Sequence, residues 1–319
     1  MIINEVKNLT NEIEFLKGRT HLFDTNILIG IMTLPEADCS DIDSFIRLHK
    51  VLIATKLSEI SGTRPAITAS TYCEFNAPGA VKERFPGLHK VFDIVGKRLT
   101  YKREGHVFYS DMIDLYRREV EQVRLYMNVI ENDVGYDICG LQYGSVEQEI
   151  CKRYGLNKNN MKNESKLDDV INNHADRLFS DVIGKAFFAY FVLSVIGYPR
   201  SDSGKKDANK FPLDKLNDKK TISNFDNVAT DFIQITYALD GNMTIFTNDK
   251  RLSVVGNKIL VMHRCPSSKF IILDDFIKEL CTDKSIEDAS QKSEEFIRFF
   301  EDSRSTINVL RNILLDQDF

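Results

Sequence analysis

Apolar residues recur along this chain with two periods, and the change from one to the other marks its parts. In "IINEVKNLTNEIEFLK" (2–17), Ile3, Val6, Leu9, Ile13 and Leu16 fall at helical spacing, which predicts a leading helix. "THLFDTNILIG" opens with a short apolar run closed by Asp24 and Asn26, which predicts a strand followed by a turn or a helix start. "DIDSFIRLHKVLIATKLSEISG" reads as a helix ending at Gly62, and "RPAITASTYCEF" as a second strand running into a helix that carries Glu74. Strands alternating with helices predict a mostly parallel sheet with helices on its faces.

From about residue 80 to residue 200 the period is helical, in "YSDMIDLYRREVEQVRLYMNVIEN" and "KLDDVINNHADRLFSDVIGKAFFAYFVLSVI", and this stretch is expected to add no strand to the sheet. A polar loop broken by Pro, Gly and Ser follows, "PRSDSGKKDANKFPLDKLNDKK". Strand and helix alternation resumes with "SNFDNVATDFIQITYAL", "NMTIFTNDKRL" and "NKILVMH". The chain closes on an amphipathic pattern, "SEEFIRFFEDSRSTINVLRNILL". The plan is therefore one α/β domain in two parts, residues 1–79 and 221–281. A helical insertion with its basic loop (80–220) separates them, and a helical tail (282–319) follows.

Composition narrows the class. At 319 residues, with 43% apolar and 28% charged residues, the chain has the figures of a globular protein with a substantial core. The apolar run "AFFAYFVLSVIGY" (186–198) is shorter than the roughly 20 residues that span a bilayer, so it reads as a buried helix and no membrane partner is expected. Cys39, Cys73, Cys139, Cys151, Cys265 and Cys281 form no C-x-x-C pair. With no secretory leader read at the start, the expectation is reduced thiols in a cytoplasmic protein. The net charge of −5 excludes a uniformly basic nucleic-acid binder but leaves room for a local basic site. Two such stretches exist. Lys205, Lys206 and Lys210 in the polar loop are candidate phosphate contacts, against a solvated loop. "CKRYGLNKNNMK" (151–162) interleaves Tyr154, which either stacks a base or is a surface tyrosine.

The acids carry the most chemistry. Asp24 and Asp249 each follow an apolar strand-like run, Glu74 follows a third, "AITAS", and Asp231 is read as opening a helix. In α/β sheets, ligands bind beyond the carboxyl ends of the strands. Each acid also has a structural reading: Asp and Asn form turns and caps, and "SNFD" (223–226) fits a capping box that makes Asp226 a cap or an auxiliary ligand.

The order of these residues, "DTN" after the first strand, an acid after the second, an acid opening a helix and "TND" after the next strand, resembles the PIN-domain nucleases. The resemblance covers roughly the first 75 residues and the last 50 to 60 of the core; the helical middle has no counterpart in it. It implies a three-layer α/β/α fold in which Asp24, Glu74, Asp231 and Asp249 hold Mg²⁺ or Mn²⁺, supported by Asn26 and Thr247. It further implies endoribonuclease activity, with RNA as partner. A toxin, antiviral or RNA-processing role is open, as is an inhibitory protein partner or a homodimer. Two rivals stand beside it: a DNA or flap nuclease, since the acids do not read the sugar, and a binding module that keeps the fold without cutting.

Overall fold

Strand β1 (Thr20–Phe23) is the axis of the sheet, flanked on both sides by parallel partners. The computed structural model describes residues 16–29, 65–76, 100–101, 109–138, 143–198 and 221–276. Most of the expected leading helix, the helix expected to end at Gly62, the polar loop with Lys205, Lys206 and Lys210, and the tail lie outside these residues. After β1 come α1 (Thr25–Ile29), β2 (Pro65–Ile67), α2 (Ala69–Asn76) and β3 (Thr100–Tyr101). The helices α3 (Tyr109–Val134), α4 (Tyr143–Arg153), α5 (Lys158–Met161), α6 (Glu164–Leu178) and α7 (Val182–Val195) follow. The chain continues through α8 (Thr221–Leu239), β4 (Met243–Thr247), α9 (Lys250–Met262) and β5 (Lys269–Ile272).

The fold is mixed α/β, mostly helical, with a sheet of order β3-β2-β1-β4-β5. β1 pairs in parallel with β2, His21 opposite Pro65, and with β4, Leu22 opposite Ile245 and Phe23 opposite Phe246. β2 pairs in parallel with β3. All five residues of β4 are buried, and its sequence "MTIFT" is the unbroken run of a parallel strand covered on both faces, where strict alternation is not needed. Successive strands step away from β1 on one side as far as β3, then on the other side through β4 and β5. The order reverses between β1 and β4.

The described residues group into two compact units: those within 1–107, 242–249 and 271–319, which hold most of the sheet, and those within 108–241 and 250–270, which are mainly helical. The helical unit is built around α7, in which every residue from Ala186 to Val195 is buried. It meets α3, α4, α6, α8 and α9, so a helix apolar all round is satisfied by neighbours on every side. Among the described residues no helix is long and apolar enough to cross a membrane. Asp181 starts α7 by accepting the N–H of Gly184 at 2.7 Å. A Cβ at Gly184 would come within 2.6 Å of the Phe179 ring, so a glycine is required where Phe179 folds back. The single helical pattern of 166–196 is thereby broken into α6 and α7.

Four expectations are corrected. The middle of the chain does add to the sheet, through the two-residue β3, which rests on pairing with Ala66 and Ile67 rather than on any local pattern. "NKILVMH", counted with the resumed alternation, is helical through Met262, and the final strand is "KFII". Leu252, Val255 and Ile259 are buried at helical spacing, a period visible only over a window longer than seven residues. Asp231 does not open a helix: α8 already runs from Thr221, so the "SNFD" box is inside it and marks no start. Tyr154 is neither a base-stacking nor a surface residue. It is buried at 2% exposure, edge-on to Phe188 and His174.

Candidate functional site

The carboxyl ends of β1 and β4 are joined by a hydrogen-bond network. Asp24 extends the ladder by donating its N–H to Phe246 O at 3.0 Å, and its own carbonyl accepts from Ile27 N to begin α1. Its side chain is 7% exposed. Oδ1 accepts the N–H of Thr25 at 2.7 Å, and Oδ2 accepts from Thr247 Oγ1 at 2.6 Å and from Asn26 Nδ2. A plain helix cap would take the N–H two or three residues on. Here one oxygen is turned to the adjacent residue and the other to a side chain from a different strand, so turn chemistry does not account for the arrangement.

Thr247 is the hub. Its hydroxyl donates to Asp24 and accepts from Asn26 Nδ2 at 3.1 Å and from Asp249 N at 3.0 Å. That is one donor and two acceptor positions, the full capacity of a hydroxyl. Asn26 Oδ1 accepts the N–H of Asn248 at 2.8 Å, and since a backbone N–H can only donate, this bond fixes which way the amide points. Asn248 Oδ1 in turn accepts the N–H of Asp274 at 3.0 Å, which carries the network to the residues after β5.

The end of β2 is organised by hydroxyls. Thr68 caps α2 by accepting the N–H of Thr71 at 3.1 Å, and Thr71 Oγ1 donates to Phe23 O at 3.5 Å, one residue before Asp24. Glu74 follows Thr71 by three positions on α2, one turn further along the helix.

Behind the strand end, His21 is fully buried, with Nε2 3.0 Å from Leu16 O and its ring edge-on to Phe246 at 5.4 Å. Burial pushes its pKa down to about 4, so it is a neutral core residue at ordinary pH.

Asp231 lies in a different setting, in the helical unit. It is near the middle of α8 and is ion-paired through Oδ2 with Arg251 Nη2, from the first turn of α9. Tyr190, fully buried on α7, donates to the same oxygen at 3.4 Å. The structure thus brings Asp24, Asn26, Thr247 and Asp249 together. Asp231 is paired with Arg251, and the side chains of Glu74 and Asp226 lie outside the described residues.

Asn248, Asp274, Tyr190 and Arg251 were not legible as site residues. The only trace of the last is a cation placed at a helix N-terminus, where the macrodipole disfavours it.

The donors at the strand edge are oxygens, the chemistry that Mg²⁺ and Mn²⁺ accept. On that ground the residues fit a hard cation. Among the described residues, no group of three acidic, histidine or cysteine side chains is placed to hold an ion. Cys73, Cys151 and Cys265 are thiols rather than disulfides. No family model matches this chain, and neither a curated protein nor a solved structure matches it.

Proposed function

We propose that this chain is a metal-dependent nuclease that cleaves RNA, built on a three-layer PIN-like core. One observation carries the reading: Asp24 and the Thr247–Asp249 turn end β1 and β4, the two strands between which the sheet order reverses. Ligands of open α/β sheets collect at that position. A bound Mg²⁺ or Mn²⁺ would lower the pKa of a water and offset phosphate charge.

The chain's own residues prepare the place. Thr247 and Asn26 hold one oxygen of Asp24 while Thr25 holds the other, so the carboxylate enters the site already oriented. Thr247 also fixes the backbone of Asp249, and Thr71 ties the start of the Glu74 helix to the end of β1. Asp24, Glu74 and Asp249 are the acids this reading places at the edge. The resemblance counts Asp231 with them.

Labelled RNA and a matched DNA oligonucleotide, each incubated with and without Mg²⁺ or Mn²⁺, provide the test. Wild type is expected to cut RNA only with metal. Asp24→Asn is expected to cut at least ~100-fold more slowly, the scale of a lost metal ligand in phosphoryl transfer. Its fold should persist with a modest loss of stability, because the new amide offers a donor where Asp24 now only accepts. Preferential cutting of DNA would favour the flap-nuclease rival. Binding without cutting would favour the module. An Asp24→Asn variant as active as wild type would end the nuclease reading at this site.

A further inference from the structure

We infer that Arg153 and Arg177 form a phosphate-binding site on the helical unit, for free phosphate or for the backbone phosphate of a nucleic acid. None of the sheet-edge acids takes part, so the inference goes beyond the nuclease reading and does not depend on it. Three helices build the site. Arg153 and Arg177, from the last turns of α4 and α6, both fork onto Asp133 near the end of α3. Arg153 donates through Nε at 3.2 Å and Nη2 at 2.8 Å, and Arg177 through Nη1 at 3.0 Å and Nη2 at 2.9 Å.

Donors outnumber acceptors in this cluster. A carboxylate offers about four acceptor positions and a guanidinium about five N–H donors, so Asp133 is filled while each arginine keeps part of its set. Arg153 Nη1 and Arg177 Nε take no part in these bonds. The buried Tyr154 hydroxyl is a further donor left over. Burial, then the charge of Asp133, raises its pKa, and it lies beside that carboxylate without a hydrogen bond of ordinary geometry.

The charge is in excess as well, with two guanidiniums against one carboxylate. A guanidinium keeps its proton in proteins, and Asp133, held down to about 2, stays ionised, so the balance is fixed at ordinary pH. The Asp133 side chain is 9% exposed, whereas those of Arg153 and Arg177 are 45% and 48% exposed, so an outside group can reach the cations. What the cluster lacks is an anion rich in acceptors. Phosphate supplies more oxygens than a carboxylate and matches the guanidinium fork. Asp133 already holds both side chains in place, so little rotamer freedom is lost on binding.

The test uses the full chain in EDTA, which keeps metal-dependent cleavage out of the measurement. The Nε–Hε resonance of Arg177 in the wild-type protein, assigned with Arg177→Lys, is followed as sodium phosphate is added. It should shift with phosphate and stay in place with acetate at matched ionic strength. In parallel, the anisotropy of a labelled single-stranded RNA is measured with wild type and Arg177→Gln over a range of salt. Loss of one phosphate contact should weaken RNA binding roughly 10-fold and flatten the slope of log K against log salt by about 0.7.

Both effects together support the site and assign it to a nucleic-acid backbone. A phosphate shift with RNA binding absent or unchanged by Arg177→Gln supports the site and assigns it to free phosphate. A resonance unmoved by phosphate, or moved equally by acetate, overturns the inference and leaves the arginines as a fastening alone. That resonance is read on the wild-type protein, so the site remains testable if Arg177→Gln does not fold.

Discussion

Asp24 in the sheet unit and Asp133 in the helical unit are held in opposite ways. At the sheet edge the donors described on Asp24 are a backbone N–H, an amide and a hydroxyl, all of them neutral. In the helical unit Asp133, Asp168 and Asp231 each receive a cation. Asp133, near the end of α3, receives two-pronged bonds from both Arg153 and Arg177, which lie in the last turns of α4 and α6. Lys258 is 2.8 Å from Asp168 and 3.4 Å from Glu164, and Arg251 holds Asp231. Neutral donors orient a carboxylate without cancelling its charge, whereas a guanidinium does both. The second arrangement turns the carboxylate into a fastening between helices.

That contrast is most strongly tested at Thr247. Thr247→Val keeps the shape but removes a hydroxyl with three partners, each worth roughly 1–3 kcal/mol when left short. A loss of about 4 kcal/mol in urea unfolding is expected, with cleavage falling on the order of 10-fold as Asp24 loses its orientation. Thr247→Ser should restore most of both. A silent Thr247→Val would mean that the edge is not organised by its hydroxyl.

Next in size is the acid response of the sheet unit. His21 stays neutral in the fold down to about pH 4, while an unfolded histidine takes its proton near 6.5. Between these values the unfolded chain binds more protons, so stability falls as the pH falls, by about 3 kcal/mol across the window. His21→Gln should flatten the dependence, read as urea midpoints from pH 7 to 4.

The smallest effect tests the helical unit. The guanidinium of Arg153, then that of Arg177, holds the Asp133 carboxyl down to about 2. A depressed carboxyl pKa gives stability that is present above about pH 4 and is lost as the pH drops through the folded value. Asp133→Asn should therefore cost about 2 kcal/mol at pH 7, on the scale of hydrogen bonds to charged groups. The cost should shrink below pH 4. A cost unchanged at pH 2 would show that shape rather than charge joins the three helices.

What the sequence disclosed follows from how far each signal reaches. β1, α2, α3 and β4 are marked by short runs of apolar residues and by the Asp-Thr-Asn and Thr-Asn-Asp turns that end the two strands. The parallel sheet was legible for the same reason. The two-residue β3 carries no pattern of its own and exists because Ala66 and Ile67 offer it a ladder. The helical period around "NKILVMH" appears only when Leu252 is counted with Val255 and Ile259. Tyr154 looked exposed beside Lys152 and Arg153, but it lies in the turn just after α4, buried against Phe188. At the candidate site, Asp24, Asn26, Thr247 and Asp249 were read from strand ends, while Arg251 was missed. Its partner is twenty residues away on another helix, and nothing local joins the two.

The parallel pairing of β1 with β4 also sets a clock on synthesis. The hydroxyl that orients Asp24 belongs to a residue 223 positions later in the chain. At the roughly 5–20 residues per second of translation, about 10 to 45 s pass between the two leaving the ribosome tunnel. During that time a nascent chain has its first acid but no hub to hold it. The contacts of the helical segment between them are closer in sequence and carry the smaller loop-closure cost. Under the nuclease reading, a ribosome making this protein is therefore shielded from it: the cutting edge is assembled only after most of the chain is made, and a truncated product is harmless to RNA.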